Sequence, residues 1–340
     1  MNQELLRRVG MAPGVPGFET NIQNIATEVL QECCDEVNKD NIGNVIGLRK
    51  AAKPTQYNGR TPRLMFAAHA DEVGMMVKHI NSNGYIHFIQ MGGLGAHVAQ
   101  SQRVVIHGKE TVRGVVVPKG GENTKLEELL IDTGLSKEEL EKRIRPGDVV
   151  TFENDVSILN DKMWVGRNFD NRIGTYCLLE AMRKVGETQV DVYACSTVQE
   201  EVGLRGARPC AFSVEPDIGI AIDGSMARAA YVDEKDNLCE PGQGTGIYVI
   251  DKLTIGHPRL VQYLCDLCDT HKIAYQRNIG GGTDAAAIQQ SRGSVISTTI
   301  GAPVRYMHST VQLCHADDMD ATVDLMVKFM ENAHLFLADL

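Results

Sequence analysis

Apolar and polar positions change their period along the chain. Residues 21–37 carry Ile22, Ile25, Ala26, Val29 and Leu30 at helical spacing behind Pro16-Gly17, which predicts a helix. Residues 41–48 read as a short strand containing Gly43, and the near-continuous apolar run 63–69 predicts a central strand ending at His69. From about residue 73 to 165 the texture changes. Short β-like runs recur at 75–80, 85–89, 103–107, 112–117, 148–152 and 156–158. Turn clusters such as Asn81-Ser82-Asn83-Gly84, Lys119-Gly120-Gly121 and Arg145-Pro146-Gly147 separate them. That pattern predicts a small antiparallel barrel or sandwich. Residues 125–131 and 137–144 read as short helices within it, the second capped by Ser136. From Asp170 onward the alternation resumes: helix 171–185, strands 190–198 and 218–222, helices 258–271 and 284–290, strand 294–300 and helix 317–337. The simplest architecture is one α/β domain, residues 1–72 and 166–340, interrupted by a β-rich insertion over residues 73–165.

Composition narrows the class of function. A hydrophobic fraction of 43% with 23% charged residues is ordinary for a chain that buries a real core. The net charge of −10 and the absence of any Lys/Arg-rich run argue against a nucleic-acid surface. Residues 1–10 hold no apolar h-region or small-residue cleavage site, so no signal peptide is expected, and no apolar run is long enough to span a bilayer. The nine cysteines are odd in number and several lie in apolar runs, which points to reduced core thiols in a cytoplasmic protein. Cys265 and Cys268 have zinc-pair spacing, but they sit inside a helical pattern without a second pair.

The candidate chemistry gathers at strand ends. The apolar run 190–196 leads into Glu200-Glu201, two adjacent carboxylates that repel unless a cation divides their roles, one as ligand and one as base. His69 and Asp71 form His-x-Asp at the end of the first core strand, an arrangement in which the aspartate can orient the imidazole. Asp170 lies where the β-rich segment gives way to a helix, Asp223 follows the run 218–222, and His308 follows the strand at 294–300. Singly, each has a dull reading as a cap or turn residue. Jointly they share one sheet edge, where α/β proteins build their sites. A donor set of His, Asp, Glu, Asp and His without thiolate suits zinc, cobalt or manganese. Five ligands exceed what one catalytic zinc takes, so they fit two ions sharing a carboxylate.

The ordered blocks Ala68-His69-Ala70-Asp71-Glu72, Phe169-Asp170-Asn171-Arg172, Gln199-Glu200-Glu201-Val202-Gly203, Ile222-Asp223-Gly224, Gly282-Thr283-Asp284 and Met307-His308-Ser309 resemble the M42 family of metallo-aminopeptidases, the tetrahedral and glutamyl aminopeptidases. The resemblance implies a zinc-peptidase-like three-layer catalytic domain with an inserted small β-barrel used for dimerisation. It implies one ion on His69 and Asp223, the other on Glu201 and His308, and Asp170 bridging them. Glu200 would be the general base and acid, Asp71 the orienter of His69, and Asp170-Asn171 a cis peptide. Two divalent ions, Zn²⁺ before Co²⁺ or Mn²⁺, short peptide substrates and dimers building a homododecamer come with it, and neither nucleic acid nor membrane is an expected partner. Asn168, polar between Gly166 and Asp170, departs from the family pattern and is expected to shape the pocket. The metal set alone leaves open a related two-metal deacylase or carboxypeptidase, or a non-catalytic peptide-binding shell. Arg228, Arg277 and Arg305 are candidates for reading an acidic side chain, and His97, on a glycine-rich loop, for reaching a neighbouring subunit's site.

Overall fold

The structure is a computed structural model that describes residues 1–120, 124–153, 155–229, 233, 235 and 239–340. Its first elements are helices α1 (Gln3–Met11) and α2 (Thr20–Gln31) and strands β1 (Glu36–Lys39), β2 (Val45–Arg49) and β3 (Arg63–His69). Strands β4 (Gly74–Ile80), β5 (Ile86–Met91), β6 (Arg103–His107), β7 (Thr111–Pro118), β8 (Leu129–Asp132) and β9 (Val149–Phe152) follow, with short helices α3 (Ala96–Ala99) and α4 (Lys137–Leu140) between them. Next come β10 (Ser157–Asn160), β11 (Met163–Gly166), α5 (Phe169–Lys184), β12 (Asp191–Thr197), α6 (Ala207–Val214), β13 (Ile218–Ile222) and β14 (Ser225–Met226). The last are β15 (Thr245–Ile250), α7 (Pro258–His271), β16 (Tyr275–Ile279), α8 (Ala285–Gln289), β17 (Ile296–Gly301), β18 (Pro303–Arg305), β19 (Gln312–His315) and α9 (Ala316–Ala338).

Among the described residues these strands make three units. An eight-stranded sheet has the order β1-β2-β12-β3-β13-β17-β15-β16, with β12, β3, β13 and β17 parallel at its centre. A smaller sheet runs β10-β11-β19-β18-β14, and β4 to β9 close into a barrel with its own core, including Met75, Ile86, Val104, Ile131 and Val150. The alternation of side chains along β3 explains why the central sheet is covered on both sides. Leu64, Phe66 and Ala68 join the core that holds α1, α2, α5, α7 and α9, while Met65 and Ala67 meet Cys210 and Val214 of α6 and Ile288 of α8.

Several elements differ from the sequence expectation. The helix at 21–37 ends at Gln31, because Val37 pairs with Gly47 in a strand. Residues 125–131 are not a helix: a single 3₁₀ turn at Leu126–Glu128 passes into β8, which closes the barrel between β5 and β7. Leu129 and Ile131 point into the barrel there, a two-residue period that a short apolar run conceals. Helix α1 has no counterpart in the reading of periodicity. Asn2 caps it through the Leu5 N–H at 3.1 Å, and Leu5, Leu6 and Val9 bury its inner face. Ser136 does cap α4, accepting the Glu139 N–H. Gly121 of one expected turn lies outside the described residues. All nine cysteines are free and seven are buried; Cys265 and Cys268 belong to the main core. Among the described residues no helix is long and apolar enough to cross a membrane.

Candidate metal centre

Register places the site. Thr197 of β12 lies opposite His69 at the end of β3, and the β3–β13 pairing runs from Ile218↔Leu64 to Ala221↔Ala67, which sets Asp223 level with His69. The carboxyl ends of three neighbouring parallel strands thus deliver His69, Glu200-Glu201 and Asp223 to one edge. Asp170 arrives from the start of α5, where the Asp170-Asn171 peptide is cis. The turn between β18 and β19 supplies His308.

These side chains converge. His69 Nε2 lies 3.4 Å from Asp170 Oδ1, 3.7 Å from Asp223 Oδ1 and 3.8 Å from Glu200 Oε2. His308 Nε2 lies 3.2 Å from Asp170 Oδ2 and 3.5 Å from Glu201 Oε2. The Asp170 carboxylate therefore turns one oxygen to each imidazole. Each ring is held from behind by a backbone carbonyl near Nδ1: Asp71 at 3.2 Å for His69, Gly93 at 2.9 Å for His308. With Nδ1–H directed at these carbonyls, Nε2 is the nitrogen turned to the acids: without metal its proton bonds Asp170, and once deprotonated its lone pair is free for a metal.

The supports around this cluster are mostly invisible in the sequence. The Asp71 carboxylate lies with Oδ1 3.5 Å from the His69 ring. Its two oxygens accept the Glu200 and Glu201 N–H groups at 3.0 Å each. Glu19 accepts the Gln199 N–H at 3.1 Å, so a second carboxylate pins the same turn. Gln312 accepts the Asp170 N–H at 2.6 Å and donates to the Arg167 and Ser309 carbonyls, tying α5 to the His308 turn. Asn171 reaches the Ile222 carbonyl beside Asp223. Behind the site Glu72 is buried between Arg167 at 2.6 Å and Arg172 at 3.3 Å. Asn168 does not shape the pocket. It is fully buried and bonds the Gly10 carbonyl and Glu72.

Electrostatics mark the cluster as short of positive charge. Burial, with the negative charge of Asp170 second, pushes Glu201 up to about 7. Burial likewise holds Glu200 and Asp223 well above the carboxylate range, against the pull of His69. His308 is raised to about 9, first by its bond to Asp170. Asp170 itself is held low: burial opposes ionisation, but two imidazoles outweigh it. Glu201 Oε1 is buried without a hydrogen-bond partner. Among the described residues three donor groups could each hold a cation: His69, Asp170 and Asp223; His69, Glu200 and Glu201; Asp170, Glu201 and His308. The first and third share Asp170. The nitrogen–oxygen donor set, the orphaned oxygen and the excess of buried acid all fit divalent metal.

A cavity of about 420 Å³ opens from the cluster, lined by His69, Asp170, Glu200, Asp223 and His308 at one part and by Met226, Tyr248, Lys252, Tyr306 and Met307 at others. That volume suits a small ligand. None of the three expected arginines lines it. Arg228 pairs with Glu240 at 2.8 Å, Arg305 donates to the Arg228 carbonyl, and Arg277 is exposed elsewhere. Lys252 is the cation at the cavity among the described residues, a position that no pattern in the sequence singles out. His97 is exposed on α3 and does not line the cavity.

A sequence model of the family described as M42 glutamyl aminopeptidase matches residues 43–325. The chain is 32% identical to the lysyl aminopeptidase of Pyrococcus furiosus over 346 residues, 96% of each chain. The fold matches an aminopeptidase from the archaeon Desulfurococcus kamchatkensis with a TM-score of 0.94 at 32% identity, covering 99% of this chain and 96% of that one. It matches the Pyrococcus horikoshii TET1 peptidase, which can assemble into a tetrahedron or a large octahedral shell, with a TM-score of 0.86 at 27% identity, covering 96% and 98%.

Proposed function

The chain belongs to the M42 glutamyl aminopeptidase family, and on that premise we propose that it removes N-terminal residues from short peptides at a pair of divalent cations, zinc first and cobalt or manganese as alternatives. His69 and Asp223 would hold one ion, Glu201 and His308 the other, and Asp170 both. The observation that carries this reading is the Asp170 carboxylate, with Oδ1 3.4 Å from His69 Nε2 and Oδ2 3.2 Å from His308 Nε2. When bound, such a pair of ions supplies an acidified water, a polarised carbonyl and an anchor for the substrate amine.

The chain's own residues supply the rest. Glu200 takes the proton of the attacking water on its carboxylate and delivers it to the leaving nitrogen. Burial, which raises its proton affinity, suits it to both steps. Asp71 fixes the backbone of the Glu200-Glu201 turn and, through its carbonyl, the tautomer of His69. Tyr248 and Tyr306 line the cavity that receives the first side chain of the peptide.

The family resemblance supports a division into a catalytic domain of three-layer zinc-peptidase type (residues 1–72 and 166–340) and a dimerisation domain (residues 73–165). The shells formed by the TET1 relative support dimers building a dodecamer. We place the protein in the cytoplasm on its free thiols. The test is Glu200→Gln with metal content measured: cleavage of aminoacyl chromogenic substrates falls about 10²–10⁴-fold while both ions stay bound. Near-normal turnover in that variant would overturn the mechanism, and cleavage of N-acylated rather than free-amine peptides would overturn the aminopeptidase assignment.

A further inference from the structure

The two halves of the proposed centre rest on different parts of the fold. His69 and Asp223 are 2% and 6% exposed and stand at the ends of core strands. His308 sits on a turn, has a left-handed backbone (φ 58°) and keeps a side chain 42% exposed. The outside support comes from the barrel. After β5, Gly92-Gly93 crosses towards Glu201 and His308. The Gly93 carbonyl accepts the His308 Nδ1–H at 2.9 Å. The approach is so close that a Cβ on Gly93 would lie 2.7 Å from Nδ1 and 3.0 Å from Cε1 of His308. Gly92, at φ 83°, touches the other residue of the same half: a Cβ there would lie 3.1 Å from Cβ and from Oε2 of Glu201.

We propose that the Gly92-Gly93 turn of the barrel is a positioning element for Glu201 and His308, so that the affinity of one ion, and not the other, depends on how the barrel sits against the sheet. This rests on the two-ion reading above. The barrel contributes no lining residue to the cavity among those described, yet it sets the tautomer and angle of one imidazole and packs against the carboxylate beside it. A barrel displacement would loosen the ion on Glu201 and His308 and leave the ion on His69 and Asp223 in place.

The experiment titrates Zn²⁺ into metal-stripped protein by calorimetry, with bound metal counted by elemental analysis. Wild type takes two ions per chain. Gly93→Ala keeps one at wild-type affinity and binds the other about 10–100-fold more weakly, the usual cost of losing a partner behind a ligating histidine. Gly92→Ala, which strains the left-handed turn and crowds Val73 Cγ1 at 2.9 Å as well as Glu201, displaces the same turn and gives the same split. Gly293→Ala, whose Cβ would meet nothing within 4 Å, keeps both. Gly93 is exposed, so its metal-stripped variant retains the melting profile of metal-stripped wild type, checked by circular dichroism. Wild-type affinity for both ions in Gly93→Ala and Gly92→Ala, or an equal loss at both, overturns the proposal. A wild type that binds one ion overturns the two-ion reading, and this inference with it.

Discussion

In the proposed mechanism activity turns on Glu200, and Lys252 is proposed to set selectivity. Glu200 stands beside His69 with its carboxylate kept basic by burial, and its isosteric amide removes only the proton acceptor. Lys252 is exposed at the cavity, within a turn that Asp251 fixes by accepting the Leu253 N–H at 2.7 Å and the Thr254 N–H. As the one Lys or Arg lining the cavity among the described residues, Lys252 favours a substrate with an acidic first side chain. Lys252→Glu is expected to lower kcat/KM for a glutamyl substrate on the order of tenfold relative to a leucyl one, the modest size reflecting solvent screening. Parallel assays of glutamyl, leucyl and lysyl chromogenic substrates check it, and an unchanged ranking counts against Lys252 as a reader of charge.

At the scale of elements, the junction of β3, the start of α5 and the N-terminal loop is held by charge. Glu72 accepts from Arg167, Arg172, Asn168 and the Gly14 N–H, all buried or nearly so. Burial alone would raise the Glu72 pKa, but the two guanidinium groups bring it below its usual value. Glu72→Gln leaves both arginines under-compensated, and is expected to cost about 3–5 kcal/mol in urea unfolding. The sign with pH follows from the depressed folded-state pKa: the Glu72 contribution is complete above the ordinary carboxylate value and fades as pH falls through the lower, folded one. The gap between wild type and variant therefore narrows on acidification. A gap that widened towards low pH would contradict this account. The sequence hides this network because an arginine is ordinarily a surface residue. Only the enclosure of Arg172, at 0% exposure, distinguishes it.

At the scale of the whole molecule, the clustered acids make cation binding a source of stability. Metal-stripped protein is expected to be inactive and to melt at a lower temperature. Zn²⁺ at a hundred times its Kd adds about 2.7 kcal/mol per ion, by mass action on the folded state. Melting curves against zinc concentration measure this, and a melting point indifferent to metal would sink it. The proposed assembly predicts a particle of twelve chains in sedimentation velocity, with metal present.

What the sequence determined by itself was local. The period of apolar positions marks β3, β13 and α7 at the bounds they adopt, because a buried strand or helix repeats within a few residues. The turn from alternating helices and strands to short β runs marks the barrel of β4 to β9, but its last run, 156–158, falls in β10 of the smaller sheet, because β11 pairs with β19 and not with a barrel strand. The acids and histidines at strand ends are legible because the ends of parallel strands are where side chains leave the core. Tertiary structure alone decided the rest. Gln312 holding Asp170, Glu19 pinning Gln199, Gly93 holding His308 and Lys252 at the cavity join residues far apart along the chain. Such contacts leave no period and no spacing in the sequence, since hydrogen bonding and charge act through space rather than along the backbone.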